Sequence, residues 1–205
     1  CDDLLFLNGA YADSIVVPVR IVEKNLLRIG EETSFADAAL TEPLACVVQG
    51  IADLGLQGHE RVLVIGSGPI GLMFVALARH LGCTVTLAGR GETRLKTAGQ
   101  FGAFTVPIGS DEELIPKLRE ARRTFDVVIE ATGKPEVWEA SAQLVRKGGA
   151  GNLFGGCPSG TTVRFDTGLL HYSSLKVLAS FHHKPLTIRD ALRLIEQKVI
   201  TAHTF

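Results

Sequence analysis

The stretch 61–72, RVLVIGSGPIGL, places glycines at 66, 68 and 71 directly after a short apolar run. The first glycine of such a set permits a tight turn out of a strand. The second lets the backbone approach a pyrophosphate with no side chain in the way, and the third lets the next helix pack closely on the sheet. N–H groups in the first turn of that helix, opened by Pro69 and Ile70, then face the phosphates, aided by the helix dipole. Because the run follows a strand and opens a helix, it predicts a dinucleotide site at Gly66, Gly68, Pro69, Ile70 and Gly71. A bland glycine-rich turn is the alternative.

The next chemistry is at Leu87-Ala88-Gly89-Arg90-Gly91, which ends the second expected strand. A site for NAD carries an acid there, ~20 residues beyond the glycines, to bind the ribose 2′-hydroxyl. Here Gly89 stands in that place and Arg90 follows. A small residue leaves room for a 2′-phosphate, and a guanidinium gives it forked, charge-assisted hydrogen bonds. Arg94, one helical turn on, is a second candidate. The reading is a preference for NADP(H), with NAD(H) as the alternative and a solvated loop charge as the bland account of Arg90.

Other candidate groups are weaker. Cys1, Cys46, Cys83 and Cys157 contain no CxxC pair, so the chain as given holds no self-contained zinc knuckle. Cys46 and Cys83 read as core thiols. His182-His183 is a tempting pair, but neighbours on a strand point to opposite faces and chelate one ion poorly.

The elements that must position these groups follow a rhythm. From residue 62 onward, apolar β-branched runs (VLVI, TVTLA, FDVVIE) alternate with helical patterns, the signature of βαβ units and a parallel sheet. Helices are expected over 70–81, 93–101 and 135–145, from a capping box at 110–113, and from Thr187 to about residue 198. Strands are expected at 84–88, 104–106, 125–130, 153–154 and 175–181. A helix start at Ser34-Phe35-Ala36-Asp37 introduces an alanine-rich helix to about residue 54. Residues 10–30, rich in Ile and Val with Pro18, read as short strands and turns and not as a helix.

A net charge of −1 advertises neither nucleic acid nor an anionic membrane as partner. No apolar run reaches the ~18 residues of a membrane span. Scattered cysteines and the lack of a signal-peptide pattern suggest a reducing, cytoplasmic setting. The chain opens at Cys1 and its only methionine is Met73, so a piece of a longer protein, cut at both ends, is expected.

Taken together, NGAYADSIVVP, TEPLACVVQG, VLVIGSGPIGL, TRLKTAGQFGA, DVVIEATGKPE, VRKGGAGNLFGG and LASFHHKP resemble the medium-chain, zinc-dependent alcohol and polyol dehydrogenases, near the sorbitol and threonine dehydrogenase branch. The resemblance implies a doubly wound α/β Rossmann sheet of about six strands, preceded by the remnant of a β-rich, GroES-like catalytic domain. The expected division is 1–33 for that remnant, 34–58 for a linking helix and 59–205 for the nucleotide domain. The family's usual Cys and His-Glu zinc ligands would lie upstream of Cys1. Within Thr41-Glu42-Pro43-Leu44, Glu42 matches an acidic residue near the catalytic zinc, bound directly or through water; a helix-surface glutamate is the alternative. Cys1 looks like the last cysteine of a structural zinc lobe, with a free thiol as the alternative.

By the same resemblance, Ala131-Thr132-Gly133 is a loop over the cofactor ribose. Phe154-Gly155-Gly156 and Phe181-His182 stand beside the nicotinamide. The implied activity is hydride transfer between NADP(H) or NAD(H) and a secondary alcohol, polyol or ketone, with Zn2+, in a homodimer or homotetramer. Two rivals are a zinc-free quinone or enoyl reductase of the same superfamily and a nucleotide-sensing module without catalysis.

Overall fold

A computed structural model of the protein describes residues 11–120 and 124–204. After two short helices, α1 (Val19–Asn25) and α2 (Phe35–Ala38), the chain enters α3 (Thr41–Leu54). It then alternates through β1 (Arg61–Ile65), α4 (Pro69–His80), β2 (Thr84–Gly89), α5 (Glu92–Gln100), β3 (Phe104–Pro107), α6 (Leu114–Glu120), β4 (Phe125–Glu130), α7 (Pro135–Ala142), β5 (Val145–Leu153), α8 (Thr167–Tyr172), β6 (Lys176–Leu178) and α9 (Pro185–Glu196). The six strands are all parallel, in the order β3-β2-β1-β4-β5-β6. This is the doubly wound order, and it reverses between β1 and β4, where such sheets open a crevice at their carboxyl ends.

The central strands are apolar because both of their faces are covered. In β1, Val62 and Val64 belong to one core with α3, α4 and α9, while Leu63 and Ile65 belong to the other with α6 and α7. The same alternation puts Val127 and Ile129 of β4 on the first face and Val128 on the second. A side-chain period of two thus sorts one apolar strand into two cores. Helix α3 is not a bare spacer: Leu44, Ala45 and Val47 are fully buried in the first core.

Several expectations need correction. Residues 19–25 form α1 rather than a strand, and no strand occurs among the described residues before β1. A strand needs a partner for its backbone groups, whereas a helix satisfies its own. Ser34 does cap α2, accepting from Asp37 N at 3.0 Å, but the alanine-rich run then breaks into α2 and α3. The run 175–181 contributes only three residues to β6. Helix α7 stops at Ala142, so Val145 opens β5, which is nine residues long. The run 110–113 forms a 3-10 turn that leads into α6, without a side-chain cap from Ser110. Thr187 is not the cap of α9 but its third residue: Pro185 begins the helix, and Thr187 Oγ1 accepts from Lys184 N at 2.9 Å.

Candidate functional site

The carboxyl ends of β1, β2 and β4 converge on a cleft of about 230 Å3. Gly66, Ser67 and Gly68 line it after β1, Gly89, Arg90 and Arg94 after β2, Asp111 after β3, and Ala131, Thr132 and Lys134 after β4. The strand ends are tied to one another: Gly66 N donates to Ala88 O at 2.9 Å and Ala131 N to Ile65 O at 2.9 Å.

The three glycines have separate duties. Gly66 takes φ +114°, which L side chains rarely adopt, and a Cβ on it would meet Ala131 O at 2.9 Å. A Cβ at Gly71 would stand 1.8 Å from Gly66 O, so helix α4 packs on the turn only because that residue is bare. A Cβ at Gly68 would meet no heavy atom within 4 Å, so the space over it is open for a ligand. Pro69 takes the first position of α4, where no intrahelical donor is needed, and Ile70 follows it in that turn. The cradle therefore fits a dinucleotide pyrophosphate: open over the middle glycine, closed around the other two, and faced by a helix N-terminus.

The ribose side carries charge. Arg90 Nη2 donates to Asp111 Oδ1 at 2.9 Å, and Lys134 Nζ donates to Asp111 Oδ2 at 2.6 Å. The Arg90 backbone is held separately: its N donates to Ser67 Oγ at 3.0 Å, and Ser67 Oγ donates to Arg90 O at 2.6 Å. Ser67, Asp111 and Lys134 were absent from the sequence expectations. The Ser in GSG, the acidic turn at 111–113 and the Lys after ATG were the available signals.

A second group missed from sequence is Glu130, fully buried at the end of β4. It accepts from Thr132 N at 2.6 Å, from Gly133 N at 3.2 Å and from Thr132 Oγ1. Burial pushes its pKa above the usual carboxylate value, and these hydrogen bonds pull against that. Glu130 O also accepts from Phe154 N and Gly155 N, so this residue ties the 131–133 loop to the 154–156 segment. Gly133 and Gly155 must be small: a Cβ on Gly133 would meet Gly156 O at 2.5 Å, and one on Gly155 would meet Gly133 N at 2.2 Å. Gly156 has open space at its Cβ position.

Other expected site residues are elsewhere. The Phe154 side chain turns into the core and packs edge-on against Phe74, with ring centroids 4.8 Å apart. Phe181 is exposed and packs at a tilt against His182, with centroids 3.9 Å apart; neither lines the cleft. His182 and His183 lie beyond β6 rather than on a strand, so alternation of faces is not what separates them. His183 Nε2 lies 3.6 Å from Glu42 Oε1. Glu42 is in the first turn of α3, with a side chain 62% exposed, and accepts from Cys46 Sγ at 3.4 Å. Cys46 is only partly buried, unlike Cys83; burial and the neighbouring Glu42 push its pKa up to about 12. Zinc takes three or four Cys, His or carboxylate ligands, and no group of three or more His, Cys, Asp and Glu among the described residues is placed to hold a metal. Glu42, Cys46 and His183 do not by themselves form a metal site. Cys1 lies outside the described residues.

Residues 69–197 match the family described as Zinc-binding dehydrogenase. The chain is 35% identical over 194 residues to D-altritol 5-dehydrogenase of Agrobacterium fabrum, an alignment covering 92% of this chain and 54% of that protein. It is 31% identical to L-threonine 3-dehydrogenase of Chromobacterium violaceum, over 76% of this chain and 45% of that protein. Among solved structures, a Sinorhizobium meliloti 1021 protein assigned to the zinc-binding dehydrogenases and solved bound to NADP is similar, with TM-score 0.75 and 31% identity, over 85% of this chain and 52% of that one. The chain thus spans about half the length of the curated relatives it matches. With the doubly wound sheet, the glycine cradle and these matches in agreement, the chain belongs to the zinc-binding dehydrogenase family.

Proposed function

We propose that the intact protein transfers hydride between a nicotinamide cofactor, NADP(H) in preference to NAD(H), and a secondary alcohol, polyol or ketone. The observation that carries this reading is the cleft itself: a pyrophosphate cradle open over Gly68, with Arg90, Arg94 and Lys134 on its ribose side and no carboxylate in place of Gly89. The altritol and threonine dehydrogenase relatives and the NADP-bound relative support it. The protein orients the cofactor, which is where proximity contributes; the hydride chemistry belongs to the cofactor. Bound zinc would polarise the alcohol oxygen as a Lewis acid. Glu42 is this chain's candidate contribution to its surroundings.

In this reading residues 1–33 are the end of the catalytic domain, 34–58 link it to the nucleotide domain at 59–205, and Cys1 belongs to a structural zinc lobe. The 131–133 loop covers the ribose, and Gly155 and Gly156 lie toward the nicotinamide; Phe181 and His182, which do not line the cleft here, take no part in this reading. The β6 edge of the sheet is the surface for pairing into a dimer or tetramer, and the protein works in the cytoplasm without nucleic acid or membrane partners. No helix among the described residues is long and apolar enough to cross a membrane.

The test is an assay of the intact protein with a panel of polyols and secondary alcohols. NADP+-dependent oxidation that is lost on chelation and restored by zinc is the expected result. Reduction of quinones or enoyl thioesters that survives chelation would replace it with the zinc-free reading. Cofactor binding without any turnover would replace it with the sensor reading.

A further inference from the structure

We propose that Asp111 tunes cofactor preference by competing with the 2′-phosphate for Arg90 and Lys134. The inference rests on the cleft being an NADP(H) site. Asp111 opens the 3-10 turn after β3, and its side chain is only 19% exposed. It is the single carboxylate among the residues that line the cleft, and it bridges two cations from different elements. Arg90 follows β2 and Lys134 precedes α7, so the bridge spans the rim on which the adenosine half of a dinucleotide would rest. Arg94 has no carboxylate partner among the described residues.

The sign of the effect follows from how Arg90 is held. If Asp111 were its anchor, losing the carboxylate would misplace the guanidinium. Both hydrogen bonds to Ser67 Oγ hold the Arg90 backbone independently of the carboxylate, so losing it frees the guanidinium without moving the backbone that carries it. What Asp111 engages is the guanidinium nitrogen Nη2 and the Lys134 ammonium, the donors that a phosphate would use. A 2′-phosphate brings about −1.5 to −2 charges against a carboxylate already in place, and like charges at such range repel. NADP(H) binding at this site therefore includes the cost of sharing or displacing Asp111, a cost that NAD(H) does not meet.

Titration of the intact protein with adenosine 2′,5′-bisphosphate and with AMP isolates this half of the site. In Asp111→Asn and Asp111→Ser, each first checked for a native circular dichroism spectrum, the bisphosphate should bind about fivefold tighter, a modest partly screened pair effect. AMP affinity should change by less than about twofold, and the gain should shrink as salt rises. Arg90→Ala serves as the separate test of the phosphate site and should weaken the bisphosphate far more than AMP. If Arg90→Ala does so while both Asp111 variants bind the bisphosphate no tighter, competition is overturned and the phosphate site stands. If Arg90→Ala weakens both ligands equally, the phosphate site itself falls and the competition with it.

Discussion

At Gly89 a Cβ would stand 2.6 Å from Ser67 Cβ and 2.7 Å from Ser67 Oγ. Packing against Ser67 alone requires a small residue here, in addition to the room that the proposed ribose phosphate would need. Gly89→Asp alone should therefore lose about 1–3 kcal/mol of stability by overpacking and bind both cofactors poorly, instead of simply switching to NADH. Combined with Ser67→Gly, which removes the Cβ and Oγ contacts but also both hydrogen bonds to the Arg90 backbone, it should regain only part of that stability and favour NADH. Thermal melts and paired titrations check this; a Gly89→Asp protein as stable as the parent would contradict it. Gly89 and Arg90 were legible in the sequence because their position after the second strand is a fixed distance from the glycine cradle. Asp111 was not, since it meets Arg90 and Lys134 across separations of 21 and 23 residues that only the order of the strands brings together. Glu130 was hidden for a related reason: apart from the Thr132 hydroxyl, its partners are backbone N–H groups, which carry no sequence signature.

At the scale of elements, the turn between β1 and α4 separates binding from folding. Gly68→Ala meets no neighbour, so its stability should stay within about 1 kcal/mol of the parent, allowing only for backbone entropy. Its affinity for either dinucleotide should fall at least about tenfold, since the methyl fills space left for the pyrophosphate. Gly71→Ala should do the reverse first, losing several kcal/mol, roughly the overpacking range or more, because its methyl would stand 1.8 Å from Gly66 O. Denaturant melts beside cofactor titrations distinguish the two, and equal destabilisation would contradict the division of labour. Elements with strong periodicity or paired faces (β1, α4, β2, β4) were readable from sequence. Residues 10–30 were not, because β-branched composition reports fitness for a pleated surface and says nothing about whether a partner strand is present. The short extent of β6 was equally illegible, since strand length there follows pairing with three residues of β5, Ala150, Gly151 and Asn152.

Across the whole molecule, the amino-terminal side of the sheet is fastened by Asp126 at the start of β4. It accepts from Arg61 N at 2.7 Å and Arg61 Nε at 3.1 Å, and it also pairs with Arg146 of β5. Burial alone would push its carboxyl up, but the hydrogen bonds from Arg61 and Arg146 outweigh that and hold its pKa well below the usual carboxylate value. A depressed carboxyl contributes stability above its unfolded value, about 3.9, and that contribution is lost as pH falls toward the lower folded value. Asp126→Asn should thus cost about 1 kcal/mol near neutrality, since both arginines are half exposed. The difference from the parent should begin to shrink below about pH 4, the unfolded carboxyl range, and disappear only as pH falls through the lower folded value. Urea melts at several pH values test this; a constant difference would show that the ion pairs do not contribute. The cleft lies at the opposite, carboxyl end of the same strands, so cofactor affinity near neutrality should be little changed by this substitution.

The central claim is that the carboxyl end of this sheet holds a phosphorylated dinucleotide. The most direct test is a parallel fluorescence titration of the intact protein with NADPH and NADH. The lone tryptophan, Trp138, lies beside the nicotinamide end of the proposed site and donates from Nε1 to Gly155 O at 2.9 Å, so it is a natural reporter. The account predicts saturable binding of both, tighter for NADPH, with the difference fading as salt rises. Binding of NADH as tight as or tighter than NADPH would contradict the role assigned to Gly89 and Arg90, and no binding of either by the folded protein would contradict the site.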